Sequence, residues 1–219
     1  MYKLWAFVRQ SLIRIYLFFA KLVYKLSGGK RPKTLFCQKA NAEHIGTRVR
    51  VVSSDKYSTT IAKFDADGNM SDEDFVILTG TDLHLDHGME NNEKTVERFV
   101  RHIKDIKPDL IVLTGDIILT DTQQTDAIQF AQMMEKLGIY WTAVFGNHEV
   151  REERGFYKYL LLKDFADYEH CLCKLGPDEL FGYGNYTVNI LGKGGRLRRT
   201  LFFFDSGRNI IDSYRKEHG

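Results

Sequence analysis

The chain has 219 residues, 43% of them hydrophobic, and a formal net charge of +2 at pH 7. This length and composition suit one sizeable buried core, and the chain shows neither a low-complexity tract nor an internal repeat, which excludes a disordered chain and a solenoid. The near-neutral charge and the sequence motifs give no reason to expect a nucleic-acid-binding protein, and three cysteines without framework spacing do not make a disulfide scaffold.

Residues 2–26 differ from the rest of the chain, since they are rich in Leu, Ile, Phe and Tyr and contain no acidic residue. Most of their polar residues recur at spacings of seven and four. At about 100° per residue these positions fall within an arc of roughly 60°. The pattern predicts a helix with a broad apolar surface and a narrow basic stripe formed by Lys3, Gln10, Arg14, Lys21 and Lys25.

Three membrane-related interpretations of this helix differ in what they require. Arg14 and Lys21 interrupt the apolar core of a secretory signal, and Arg9 and Arg14 lie inside any window of about 20 residues that would span a bilayer. An interfacial helix needs a wide apolar face with Trp or Phe, which Trp5 helps to supply. We expect membrane association, either in the interface or as a weak span, with the following domain in the cytoplasm. The alternative is a helix that packs on the domain or on a partner.

The basic linker "SGGKRPK" (27–33) ends the predicted helix, so the sequence divides into residues 1–33 and a domain over residues 34–219. Two strands, 47–55 and 59–69, open the domain, and the second closes on an Asp-Gly turn. Strands and helices then alternate, which predicts an α/β fold with a βαβαβ core and helices outside a sheet buried on both faces. The strands are 74–82, 109–116 and 139–147, and the helices are 93–106 and 125–138.

Two further segments complete the domain. The aromatic-rich stretch 156–175 is predicted to be helical, and residues 181–190 and 198–207, joined by a Gly-rich turn, are predicted to form a hairpin.

Polar side chains follow each of the three alternating strands where the strand ends. Asp82 and His84 follow the first, Asp116 the second, and Asn147 and His148 the third. The carboxyl ends of parallel strands meet at one edge of a sheet, which is where open α/β sheets bind ligands. Carboxylate, imidazole and amide ligands suit Zn, Mn or Fe. The sequence therefore predicts a site for divalent ions at this edge.

The ordered blocks "DLH" (82–84), "TGD" (114–116) and "GNHE" (146–149) resemble the first three blocks of the calcineurin-like metallophosphoesterases, and in particular the purple acid phosphatase-like branch. The resemblance implies a sandwich fold and a phosphoester hydrolase with two divalent ions (Mn, Fe or Zn) and a metal-bound hydroxide. It implies that Asp82 and His84 bind the first ion, Asp116 bridges, and Asn147 binds the second ion. His148 then serves the leaving group, and Glu149 supports that imidazole.

The chain departs from the family pattern after these blocks. Leu119 stands where a second aspartate is common, and neither the later lone histidine nor Gly-His-x-His follows. We therefore expect a fold that is incomplete at the C-terminus, with an exposed sheet edge, weak metal binding and little activity of the isolated chain. Two alternatives stay open: a non-catalytic membrane-associated interaction module, and one half of a split enzyme whose partner chain supplies the missing histidines.

Overall fold

The computed structural model describes residues 42–85, 92–119, 123–149 and 158–207. The predictions for residues 1–33 lie outside the described residues. Within the described ranges, no helix combines the length and the apolar character that crossing a membrane requires.

A four-stranded sheet is built from the first two strands and the last two. Strands β1 (Val49–Ser54) and β2 (Ser58–Lys63) pair antiparallel, and β6 (Tyr186–Leu191) and β7 (Leu197–Phe203) form the predicted antiparallel hairpin. β2 and β6 pair in parallel, so the strand order is β1-β2-β6-β7. The Asp-Gly turn closes after β2, where Asp65 N donates to Asn69 O.

A three-stranded parallel sheet carries the alternating unit, with β3 (Ile77–Gly80), β4 (Leu110–Leu113) and β5 (Trp141–Ala143) in the order β3-β4-β5. Helix α1 (Asn92–Ile106) and helix α2 (Gln123–Leu137) connect these strands. The prediction of a βαβαβ core is confirmed, although each strand is shorter than its apolar run, because the residues after it turn into loops.

The central strand β4 is buried on both faces and separates two cores. Ile111 and Leu113 pack with the helices, whereas Leu110 and Val112 pack against the four-stranded sheet. This alternation has the period of two that a strand imposes, and it places helices, parallel sheet and second sheet in successive layers. The core under the helices includes Trp141 and Phe130, which meet edge to face. The sandwich expected from the sequence is thus the observed fold.

One predicted helix is wrong over part of its length. Helix α3 covers Lys158–Ala166, but residues 171–173 are extended beside β5, with Leu172 N donating to Trp141 O at 2.8 Å. The reason is that Cys171 and Cys173 pack into the helix-side core while Leu172 packs into the core between the sheets. That alternation requires an extended backbone, and a helix would not produce it.

Candidate metal centre

Main-chain hydrogen bonds continue past the ends of β3 and β4 and bring the first two polar blocks together. Asp82 N donates to Gly115 O at 3.1 Å, and His84 N donates to Asp116 O at 2.9 Å. Leu85 then bridges in parallel to Ile118. The two loops therefore run side by side, and the side chains that follow β3 lie next to the one that follows β4.

The backbone at these positions is in a conformation that L-residues seldom adopt. Among the described residues, four that are not glycine have positive φ, and three of them are Asp82 (53°), His84 (47°) and Asp116 (51°). Asp and His tolerate the left-handed region better than most residues, yet each such position costs on the order of 1–3 kcal/mol. Strain of this kind concentrates at functional sites, where the surrounding structure holds the backbone in place.

The side chains converge as the blocks predict. His84 Nε2 lies 3.5 Å from Asp82 Oδ1 and 3.5 Å from Asp116 Oδ2. His148 joins them, since one ligand atom from each of His84, Asp116 and His148 lies within 4.8 Å of the others. The two imidazole rings are 4.9 Å apart between centroids and tilted by 58°. Four of the predicted residues thus form one cluster, which we call the candidate metal centre.

This cluster fits a divalent cation. His84 Nε2 is buried, and among the described residues no group makes a hydrogen bond to it. An unpaired buried nitrogen costs free energy, which a cation between it and the two carboxylates would remove. Ligand atoms about 2.1 Å from one ion lie roughly 3.0–3.4 Å apart in octahedral or tetrahedral geometry. The observed 3.5 Å separations are close to that range.

The buried Glu149 supports the centre through the main chain of two loops. Its carboxylate accepts hydrogen bonds from the amides of Asp116 (3.0 Å), Ile117, Ile118 (3.0 Å) and Gly146 (2.8 Å). The support of the His148 ring by Glu149 stays a prediction. Burial raises the pKa of Glu149, while the hydrogen bonds from Ile118 and Gly146 oppose that shift.

Two glycines allow these loops to approach each other. A Cβ on Gly146 would lie 2.1 Å from Asp116 Oδ1, and a Cβ on Gly115 would lie 2.8 Å from Gly146 N. Because Gly115 also has φ of +114°, it combines a close contact with a left-handed backbone. The sequence signal for both is their position, since each glycine directly precedes a polar residue of the site in "TGD" and in "GNHE".

Asn147 and His148 follow β5 in a tight turn. The Asp116 carboxylate accepts a hydrogen bond from His148 N at 2.9 Å, through Oδ1, while its Oδ2 faces His84. Asn147 is exposed in the same turn. His170 lies in the chain after these blocks, and its Nδ1 is 2.7 Å from Glu135 Oε1.

A parallel sheet edge that carries a cluster of carboxylate and imidazole groups defines an α/β domain with a candidate metal site. The sequence model of the family described as calcineurin-like phosphoesterase matches residues 75–216, which is more than half of the chain. The chain therefore belongs to the calcineurin-like phosphoesterase family. Comparisons with curated proteins and with solved structures returned no match.

Proposed function

We propose that the chain hydrolyses phosphoesters with divalent ions held by the candidate metal centre. Family membership supports the reaction class, and the observation that carries the proposal is the convergence of His84, Asp116 and His148, with the buried Nε2 of His84 facing two carboxylates at 3.5 Å without a hydrogen bond among the described residues. Divalent ions at such a site polarise a phosphoryl oxygen and lower the pKa of water, which is the chemistry that phosphoester hydrolysis requires.

The position of each site residue suits it to one role in binding the ions. Asp82 and His84 would hold the first ion, and Asp116 would share its carboxylate between two ions. Asn147 would offer its amide oxygen to the second ion. We propose Mn, Fe or Zn for both, because imidazole, carboxylate and amide ligands suit these metals. Two ions need more ligands than the described side chains bring together, so a second ion would draw on residues beyond this cluster, from this chain or from a partner chain.

His148 is the residue we assign to the leaving group. Its ring lies beside that of His84, and its amide donates to the Asp116 carboxylate, so its position depends on the same loop that presents a metal ligand. A protonated imidazole there would donate to the oxygen that leaves phosphorus, or would stabilise negative charge on it. Glu149 would fix the turn that carries His148 by holding the Gly146 amide.

We further propose that residues 2–26 hold the protein at a membrane and that the domain faces the cytoplasm. The acid-free, apolar sequence of that segment with its basic stripe supports this placement. The substrate would then be a phosphoester available at that location.

The test is metal content and hydrolysis of p-nitrophenyl phosphate by the full chain. We expect at least one Mn, Fe or Zn ion per chain by mass spectrometry, and slow, Mn-dependent hydrolysis that Asp116→Asn abolishes. Asp67→Asn is the matched control, because Asp67 is an exposed carboxylate in the turn after β2. A chain that binds no divalent ion, or an Asp116→Asn variant as active as Asp67→Asn, would refute the proposal.

A further inference from the structure

Large apolar side chains are exposed where the segment before β6 meets the end of β7. Leu180 is 52% exposed, Phe181 82%, Phe202 65% and Phe204 64%. The last two rings are parallel, 6.2 Å apart between centroids, and a Cβ on Gly207 would lie 3.5 Å from the Phe181 ring. We call these four residues the aromatic surface. A cleft of about 500 Å³ opens between Leu180, Phe202 and Phe204, with Tyr57 on its other side.

The aromatic surface is not an unfinished core face. In the middle of the same four-stranded sheet, the outward side is polar and internally hydrogen-bonded. Asn189 donates to Ser58 Oγ at 3.1 Å and accepts from Thr200 at 2.7 Å, and Thr187 donates to Ser58 at 3.0 Å. A sheet face that packs against another apolar layer carries apolar residues along its whole length. The exposed aromatics are therefore a local feature of one end.

That end is the end of the candidate metal centre. Tyr186, the first residue of β6, donates its hydroxyl to Ala143 O at 2.7 Å, and Ala143 is the last residue of β5, ahead of Gly146. Across the ladder Tyr186 pairs with Phe203, which lies between Phe202 and Phe204. The aromatic surface and the carboxyl edge of the parallel sheet thus lie at the same end of the sandwich.

We propose that the aromatic surface rests on a lipid bilayer. Exposed Phe and Leu side chains on a loop and a strand end partition into the interface between headgroups and acyl chains, and contiguous exposed apolar patches mark interaction sites. A lipid partner is favoured over a protein because residues 2–26 of the same chain are acid-free and rich in apolar residues, with basic residues among them, a sequence pattern that independently suits a membrane surface.

Charges around the aromatic surface specify what kind of bilayer it meets. Lys56 lies 3.8 Å from Asp178, and the neighbouring Asp55 and Glu179 are exposed acids. A rim with more acidic than basic side chains is not attracted electrostatically to anionic headgroups. The aromatic surface therefore binds zwitterionic phosphatidylcholine, while any preference for anionic lipid comes from the basic N-terminal segment. If the proposed function is also correct, this contact turns the site toward phosphoesters carried at the bilayer surface.

Fluorescence quenching locates the contact. The full chain with Phe181→Trp is mixed with phosphatidylcholine vesicles that carry bromine on their acyl chains, and the parent chain corrects for Trp5 and Trp141. The added tryptophan should lose at least about half of its emission, since a ring in the interface lies close to the bromine atoms. Val52→Trp on β1 is the matched control, because Val52 is 43% exposed and lies outside the aromatic surface. Equal quenching of both added tryptophans, or of neither, overturns the proposal.

Partition of the chain into vesicles measures how much the aromatic surface contributes to membrane binding. Replacing Phe181, Phe202 and Phe204 by Ser should weaken partition of the full chain into phosphatidylcholine vesicles by about tenfold or more, because three large apolar side chains are lost. The control replaces Val51, Val52 and Leu197, which are also exposed, by Ser. Unchanged partition of the first variant, which is the result for a surface that binds protein, overturns the proposal. Metal content and p-nitrophenyl phosphate hydrolysis test the proposed function separately, and both variants should keep them.

Discussion

The two edges of the parallel sheet treat buried polar groups in opposite ways. At the amino edge Asp109 precedes β4, and its buried carboxylate accepts from Lys63 Nζ at 2.9 Å and from Val76 N at 2.8 Å, while Lys63 also donates to Asp74 O. At the carboxyl edge His84 Nε2 is buried without a hydrogen-bond partner among the described residues, beside left-handed Asp82 and Asp116.

The difference separates stability from function within one sheet. Paired charges at the amino edge hold the two sheets of the sandwich together, since Lys63 belongs to the four-stranded sheet and Asp109 to the parallel one. The strained carboxyl edge is held by Glu149 and the close-packed glycines, and a cation bound there would offset part of its free energy cost. Substitutions at the two edges should therefore separate loss of stability from loss of metal binding.

The largest effect on stability should come from Lys63→Met. This change leaves Asp109 buried without its cation, so the free energy of unfolding should fall by about 3–5 kcal/mol, measured by urea denaturation. The double variant Lys63→Met/Asp109→Leu removes both charges and should recover most of the loss. Metal affinity of the folded fraction should not change. A single variant within about 1 kcal/mol of the parent would show that this edge does not hold the sheets together.

Adding a metal ion should stabilise the protein through the carboxyl edge of the sheet. An ion present at about 100 times its dissociation constant should raise the free energy of unfolding by about 2.7 kcal/mol, read as a Mn-dependent increase in Tm that a chelator reverses. His84→Ala should abolish the increase. The same change should lower the stability of the metal-free protein by no more than about 1–2 kcal/mol, which is the cost of alanine in the left-handed backbone at this position, because the lost ring nitrogen made no hydrogen bond. Equal stabilisation of parent and variant by Mn would place the ion elsewhere.

The fold could be predicted from the sequence where periodicity was long. Helix α1 buries Val96, Val100 and Ile103 at helical spacing, and it begins and ends within a residue of the prediction. The extended conformation of residues 171–173 could not be predicted, because three consecutive apolar residues have no helical or strand period of their own. Two separate cores take them on alternate faces, which is information that the local sequence does not contain.

The convergence of the candidate site residues was predictable from the sequence, and the detailed geometry of the site was not. Asp82, His84, Asp116 and His148 converge because parallel strands end at one edge, which topology alone dictates. The partners of Glu149 were not predictable, since its carboxylate binds amides more than thirty residues earlier in the chain. Left-handed φ values depend on the same tertiary contacts.

Glu149→Gln should weaken both properties of the carboxyl edge at once. The amide nitrogen of Gln cannot accept from the main-chain amides that face it, so the free energy of unfolding should fall by about 1–3 kcal/mol. Metal affinity should fall about 10–100-fold, as for other changes that displace ligands without removing them. Thermal unfolding and Mn titration measure the two losses. Glu97→Gln on the exposed face of α1 is the control, and a Glu149→Gln variant with the same properties would contradict this role.

The smallest effect separates backbone strain from collision at the same edge. Gly115 and Gly68 both have positive φ, +114° and +83°, but a Cβ meets Gly146 N at 2.8 Å in the first case and nothing within 4 Å in the second. Alanine at either position is disfavoured by the positive φ, so the additional loss of unfolding free energy at Gly115, about 1–2 kcal/mol, reports mainly the collision. Because that collision displaces the turn carrying His148, Gly115→Ala should also lose Mn affinity while Gly68→Ala keeps it. If the two variants have equal stability and equal affinity, the glycine contact does not position the site.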